Sequence, residues 1–339
     1  MAERLTVALD GTPLVGPVGG IRRFTDQLLL SLREEFPGDN YLAVSDQFAP
    51  TPKGLERRWW LFGLNRALQR CGAQVFHGTD FAVPYWGKLP SVMTVHDLSP
   101  WLEPGPGSAR VRQRTGLLLR AKIPTIVHTP TEAVRQEVLA RFGWAERRVV
   151  AIPHAASALF APAPERCEPY FLYLGTLEAR KNLEVLYAAT RLLWEQGTKI
   201  PLRLAGHRRE GYLIPDHPGI EYLGPQEDGM LSRLYSSATA VLYPSRYEGF
   251  GLPVLEAMQC GAAVVCSAIP ALLEVGDSAV LFAGVEDAAE WASCMKKLAE
   301  DVALREERQQ RSLARAAQFS WAETAKKFRG LYERCLSEA

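Results

Sequence analysis

The 339-residue sequence predicts an α/β protein made of two doubly wound domains, and three observations predict it. Short β-like apolar runs alternate with helical stretches through the first half, a passage rich in Pro and Ala follows, and the same alternation then resumes. Strands separated by helices imply parallel sheets covered on both faces. The length also suits two domains of roughly 150 residues each.

In the first half the β-like runs are residues 5–9, 41–44, 75–77, 92–95, 125–128 and 149–152, with helices expected over 21–35 and 131–142. Pro153, Pro162, Pro164 and Pro169 then prevent regular structure, because each ring fixes φ and removes a backbone donor. Beyond them come strands at 170–174, 202–205, 240–243, 263–266 and 280–282, and helices over 182–196 and 253–260. The expected division is a first Rossmann-like domain over 1–158, a second over 159–319, and a C-terminal helix over 320–339 that packs back on the first. Ser320-Trp-Ala-Glu323 matches a capping box, and Trp321, Ala325, Phe328, Tyr332 and Cys335 share one face of that helix. In open α/β sheets ligands bind beyond the carboxyl ends of the strands, so a central cleft between the two lobes is the expected site.

Composition narrows the class. A hydrophobic content of 47% is ordinary for a globular protein. No apolar run approaches the roughly 18–20 residues of a membrane span, and Met1-Ala2-Glu3-Arg4 leads straight into a strand-like run, so the expected location is cytoplasmic. Cys71, Cys167, Cys260, Cys266, Cys294 and Cys335 are scattered without the paired spacing of a zinc site and are read as reduced thiols. The net charge of +1 hides an asymmetry: residues 1–160 carry 19 Lys/Arg against 14 Asp/Glu, and the remainder 20 against 24. Residues 104–131 hold Arg110, Arg112, Arg114, Arg120 and Lys122 with no acid, either as a solvated helix face or as an attractor for an anionic partner.

The passage Tyr243-Pro-Ser-Arg-Tyr-Glu248-Gly-Phe-Gly251-Leu-Pro253-Val-Leu-Glu256-Ala-Met258 reads as a strand end, a tight loop and a helix opened by Pro253. Gly249 and Gly251 let backbone approach a ligand, and the helix start offers free N–H groups to a phosphate. Glu248 in the loop and Glu256 in the first helical turn are good acceptors for paired sugar hydroxyls. Taken singly they also read as a loop charge and a complement to the helix dipole.

This passage resembles the E-x7-E motif of the family-4 retaining glycosyltransferases, and the similarity continues through Gly261-Ala-Ala-Val-Val and Glu274-Val-Gly-Asp. The resemblance implies the GT-B fold, two Rossmann-like domains facing a central cleft. It implies that Glu248 touches donor-sugar hydroxyls, that Glu256 binds the nucleotide's ribose, and that backbone around Phe250, Gly251 and Leu252 faces the sugar and diphosphate. Leu174-Gly-Thr176-Leu-Glu-Ala-Arg180-Lys181-Asn182 is similar to the family's basic turn, whose lysine neutralises the diphosphate. Thr176 stands where many members carry Arg, which shifts that task to Lys181 and Arg180.

Gly16-Pro-Val-Gly19-Gly20-Ile-Arg22-Arg23 resembles the family's glycine-rich loop near the donor phosphate, and the histidine of Val92-Met-Thr-Val-His96-Asp97 occupies the place of one that contacts the donor sugar. His154 is assigned no chemistry. Arg57-Arg58-Trp59-Trp60-Leu61-Phe62 reads as a membrane-interface or acceptor surface, or as a helix packed through Trp60, Leu64, Ala67 and Leu68.

The expected activity is transfer of a hexose from a nucleoside diphosphate sugar to a glycan or lipid-linked acceptor, with GDP-mannose favoured over a UDP-sugar and retention implied by the family. No D-x-D pair or ligand-spaced cluster is present, so neither metal nor other cofactor is expected, and the near-neutral chain is not expected to bind nucleic acid. Peripheral contact of the basic first domain with the membrane's inner face is a further partner reading. An epimerase or phosphorylase on the same scaffold, and a non-catalytic nucleotide-sugar binder, are the rival classes.

Overall fold

The computed structural model describes residues 4–16, 19–48, 55, 58–87, 89–102, 108–163, 165 and 167–338. The chain divides into two compact units, residues 1–155 with 320–339, and residues 156–319.

The first unit carries strands β1 (Thr6–Asp10), β2 (Asn40–Val44), β3 (Val75–Gly78), β4 (Ser91–Thr94), β5 (Ile126–Thr129) and β6 (Val149–Ala151). They form one parallel sheet in the order β2-β1-β3-β4-β5-β6. Val7, Ala8 and Leu9 are fully buried in succession, as strands covered on both faces require. Helix Gly20–Glu35 crosses from β1 to β2 and buries Phe24, Leu28 and Leu32. The terminal helix Trp321–Ser337 belongs to this unit and adds Ala325, Phe328, Leu331, Tyr332 and Cys335 to the same core as Leu5, Val7 and Leu28. The N-cap half of its capping box is formed, with the Ser320 hydroxyl accepting from the Glu323 N–H at 3.1 Å, while the Glu323 carboxylate accepts from Lys326 at 2.7 Å. Burying a large apolar side chain contributes about 1.5–3 kcal/mol, so this stripe fixes the helix on the sheet.

The second unit repeats the plan with β7 (Phe171–Leu174), β8 (Leu202–Ala205), β9 (Ile220–Gly224), β10 (Ala240–Tyr243), β11 (Val264–Ser267) and β12 (Leu281–Ala283). The parallel order is β12-β11-β10-β7-β8-β9. Central β10 and β11 are buried along their whole length. Edge strand β9 has no fully buried residue, which is why its mixed Ile-Glu-Tyr-Leu-Gly run carries no readable apolar period. Among the described residues, no helix is long and apolar enough to cross a membrane.

Two local expectations are corrected. Residues 59–71 are not one regular helix: a π-helical turn, Trp59–Gly63, precedes the α-helix Leu64–Cys71. Trp59 is therefore buried where Trp60 was expected to be, while Leu64 and Leu68 pack as predicted. Glu256 lies in the second turn of helix Leu252–Gln259, beyond the free N–H groups, so it does not act as a dipole complement at the helix start.

Candidate functional site

Each unit places a set of polar groups at the carboxyl ends of its strands, and the second unit holds the stronger one. β7 ends in Leu174, after which a short 3-10 turn, Ala179–Lys181, leads to Asn182 and the helix Leu183–Glu195. Asn182 adopts a left-handed φ of 56°, which asparagine tolerates better than most residues. Its side-chain amide donates to the carbonyls of Pro244 at 3.1 Å and Val285 at 2.7 Å. That bracket ties the basic turn to the loop after β10.

The loop after β10 supplies the acid. Lys181 Nζ donates to Glu248 Oε1 at 2.5 Å and to the Tyr243 hydroxyl at 2.9 Å. The same carboxylate oxygen accepts from Tyr243 at 3.0 Å and from Ser245 at 2.6 Å. Arg180 lies 3.8 Å from its other oxygen and donates to the Tyr247 carbonyl at 3.1 Å. Burial opposes the charge on Glu248, but Lys181, Arg180 and the hydrogen bonds outweigh it and hold the carboxyl below its usual range. Burial first, and then the Glu248 charge, push the Tyr243 phenol well above its ordinary value, so it stays a donor.

Past Glu248 the chain turns through Gly249 and Phe250, both buried, into the helix Leu252–Gln259. Gly251 is the helix N-cap at a left-handed φ of 94°, and a side chain there would strike Leu272. Pro253 stands at the second helical position, where its missing N–H costs nothing. Glu256 is 3% exposed and accepts from the Tyr235 hydroxyl at 3.3 Å. Arg180, Lys181, Glu248 and the Gly249–Leu252 turn are thus gathered at one end of the second sheet, and Glu256 lies one turn deeper in the helix that this turn begins.

In the first unit Gly19 caps helix Gly20–Glu35 in extended conformation and Gly20 is its first residue. Pro17 and Val18 of that loop lie outside the described residues, as does Arg57. Arg22 reaches back to the Gly16 carbonyl at 2.6 Å. His96 follows β4, its Nε2 2.7 Å from the Thr79 carbonyl. A carbonyl only accepts, so Nε2 carries the proton and Nδ1 keeps its lone pair. Burial depresses the His96 pKa against the opposing pull of Asp80, which favours the neutral ring.

Behind His96 sit three more histidines around Phe24, and one direction of hydrogen bonding satisfies two of them completely. Ile152 O lies 3.0 Å from His128 Nε2, so that nitrogen donates and His128 Nδ1 accepts from Thr94 at 3.0 Å. Thr94 Oγ1 then accepts from His77 Nε2 at 2.8 Å, and His77 Nδ1 accepts from Tyr332 at 2.8 Å. One proton per ring fills this chain, in agreement with burial pushing His128 down to about 3 and His77 well below its ordinary value. His154 stacks on Phe24 at 4.3 Å between ring centroids and on Trp321 at 6.4 Å.

Residues 21–157 match the family model described as Glycosyltransferase Family 4, and residues 168–301 match the one described as Glycosyl transferases group 1. The chain is 34% identical over 280 residues to O-antigen chain mannosyltransferase B of Escherichia coli, covering 73% of this chain and 71% of that one. The chain belongs to glycosyltransferase family 4. Serotype-specific mannosyltransferase WbdA of Escherichia coli is 33% identical over 220 residues, which are 58% of this chain and 27% of that longer protein. Sucrose-phosphate synthase from Thermosynechococcus elongatus superimposes with a TM-score of 0.77 over 99% of this chain and 100% of its own, at 20% identity. That likeness is one of fold, the paired Rossmann-like domains of GT-B.

In this glycosyltransferase the residues picked out by motif and family resemblance divide between the units. Arg180, Lys181, Glu248, Gly249, Phe250, Gly251, Leu252 and Glu256 lie in the second, and Gly19, Gly20 and His96 in the first. Sequence reading assigned no role to Tyr243, Ser245 or Tyr235, which hold the two glutamates. Tyr243 and Ser245 were within sight, a hydroxyl pair flanking Pro244 at the end of an apolar strand. Tyr235 lies 21 residues from Glu256 in a helix with no motif. Among the described residues, no group of three or more His, Cys, Asp or Glu side chains has a metal-holding arrangement.

Proposed function

We propose that this glycosyltransferase transfers mannose with retention from GDP-mannose to a glycan or lipid-linked acceptor during polysaccharide synthesis. The observation that carries the reading is the joint placement of Lys181, Arg180 and Glu248 beside the Gly249–Leu252 turn. Mannose is favoured because the similar Escherichia coli proteins are named mannosyltransferases. The place of the reaction is the cytoplasm, at the membrane's inner face where a lipid-linked acceptor is presented.

The chemistry follows from the charges. Lys181, Arg180 and the N–H groups at the start of helix Leu252–Gln259 stabilise the diphosphate as its bond to the anomeric carbon breaks, without a metal ion or other cofactor. The acceptor oxygen bonds to that carbon on the same face, and its proton passes to the departing phosphate oxygen. Glu248 accepts from sugar hydroxyls, Glu256 from the ribose, and neutral His96 offers its Nδ1 lone pair to a donor-sugar hydroxyl without adding charge.

A melting screen tests the donor. GDP at about 100 times its dissociation constant should stabilise the protein by roughly 2.7 kcal/mol. Stabilisation by UDP alone would overturn the GDP assignment, and indifference to every nucleoside diphosphate would overturn the donor site itself.

A further inference from the structure

A groove on the first unit is not used by the donor chemistry. It has a volume of about 510 Å³, in the range of ligand pockets, and is lined by Trp60, Tyr85, Arg110, Gln113, Arg114 and Leu117. One wall is built by the π-helical turn Trp59–Gly63, a conformation that concentrates at functional sites. The Tyr85 N–H bonds the Trp60 carbonyl at 3.4 Å, and Trp86 Nε1 bonds the Leu61 carbonyl at 3.0 Å, which hold both aromatic segments in place.

The other wall is helix Ser108–Arg120, whose Arg110, Arg114 and Leu117 stand at spacings of four and three and share one face. The Arg114 guanidinium lies 5.0 Å from the Trp60 ring centroid, a cation–π contact that fixes it at the groove. Its Nε is buried and has no hydrogen-bond partner among the described residues. Arg110 and Arg114 form no ion pair with any described residue, so both guanidinium charges are available at the groove.

Helix Ser108–Arg120, which forms one wall of the groove, is tied to the candidate chemistry of its own unit. Thr115, beside Arg114, donates to the Phe81 carbonyl at 2.8 Å, and the Phe81 ring lies 5.7 Å from His96. Asp10, at the end of β1, feels the charge of Arg114. A glycan lying along this end of the sheet therefore has an aromatic platform and two arginines within reach of its distal part. Arginine forks match phosphate oxygens, and indole and phenol faces stack on sugar rings.

The geometry points to a phosphate-binding subsite for the acceptor: Arg110 and Arg114 hold the phosphate or diphosphate at its reducing end while Trp60 and Tyr85 stack on the adjoining sugar. This deepens, and rests on, the glycosyl-transfer reading above. It makes the acceptor's anionic group, rather than its sugars alone, the source of selectivity.

The test titrates the full chain with an alkyl diphosphate glycoside, with the matching alkyl glycoside lacking phosphate, and with phosphatidylglycerol vesicles, following tryptophan fluorescence. The diphosphate glycoside should bind more tightly than its phosphate-free counterpart, and Arg110→Ala should weaken it roughly ten- to hundredfold. Arg114→Lys, which keeps the charge and removes the fork, should weaken it too. GDP affinity should be unchanged in both variants. Equal binding of the two glycosides, or indifference to Arg110→Ala while GDP still binds, overturns the subsite and leaves the transferase reading standing. Vesicles that bind through Arg110 as strongly as the diphosphate glycoside would assign the groove to a bilayer surface and overturn it as well.

Discussion

Lys181 Nζ lies 2.5 Å from Glu248 Oε1, and the Tyr243 hydroxyl is within hydrogen-bond reach of both. Both side chains of the pair are 11% exposed, so each is the other's nearest counter-charge. A donor that engages both must replace this contact. Removing one partner strands the other in a poorly hydrated place, which typically costs about 3–5 kcal/mol, whereas removing both costs less. Urea unfolding of Lys181→Met, Glu248→Gln and the double variant should therefore show two unstable singles and a partly restored double. Additive losses would mean that the pair is not coupled in this way.

Glu248 and Glu256 differ in depth and in partners, and their variants should fail differently. Glu248 meets two cations and two hydroxyls, while Glu256 is 3% exposed beside Tyr235. Glu248→Ala should lower kcat by a hundredfold or more, the scale of a lost transition-state contact, with GDP affinity nearly unchanged. Glu256→Ala should weaken GDP roughly ten- to hundredfold, the scale of hydrogen bonds to a charged acceptor. Calorimetry on the two variants separates these outcomes, and identical losses of nucleotide affinity would contradict the division of roles.

Much of this was readable before any coordinates. The strands of both sheets betray themselves by apolar runs, because a strand buried on two faces has no polar positions, as β10 and β11 illustrate. Edge strand β9 escaped for the converse reason. The Glu248-to-Glu256 spacing and the Arg180-Lys181-Asn182 turn were legible because glycine, proline and paired charges leave local marks. What stayed hidden was the closure of Lys181 on Glu248 across 67 residues and of Tyr235 on Glu256 across 21, since a side-chain contact distant in sequence leaves no spacing to read.

Acid should destabilise the first unit. His77, His96, His128 and His154 are all held neutral by burial, so their folded pKa values lie below the unfolded value near 6.5. Below pH 6.5 the unfolded chain binds more protons than the folded one, and stability falls as pH drops. The slope is roughly 1.4 kcal/mol per pH unit for each histidine that remains neutral. Asp10, pushed up to about 6 by burial, acts oppositely between about pH 4 and 6 and offsets one histidine's share there. Melting temperature measured from pH 7.5 to 5 should fall steadily, and His128→Asn should flatten the dependence. A pH-independent melting temperature over that span would show that these rings are not the acid-sensitive groups.

Two glycines of the candidate site carry opposite expectations. Gly251 caps helix Leu252–Gln259 at φ 94°, where a side chain is strained and would meet Leu272. Gly251→Ala should cost roughly 1–3 kcal/mol in stability and displace the N–H groups at the helix start, so GDP affinity should fall with it. Gly19 caps helix Gly20–Glu35 at φ −165°, extended backbone open to any residue, with nothing within 4 Å of an added Cβ. Gly19→Ala should leave thermal stability within about 0.5 kcal/mol of the parent. If transfer nevertheless falls in Gly19→Ala while the melting curve stays put, the loss reports a ligand that approaches the Gly19 backbone. If neither changes, Gly19 is only the start of a helix.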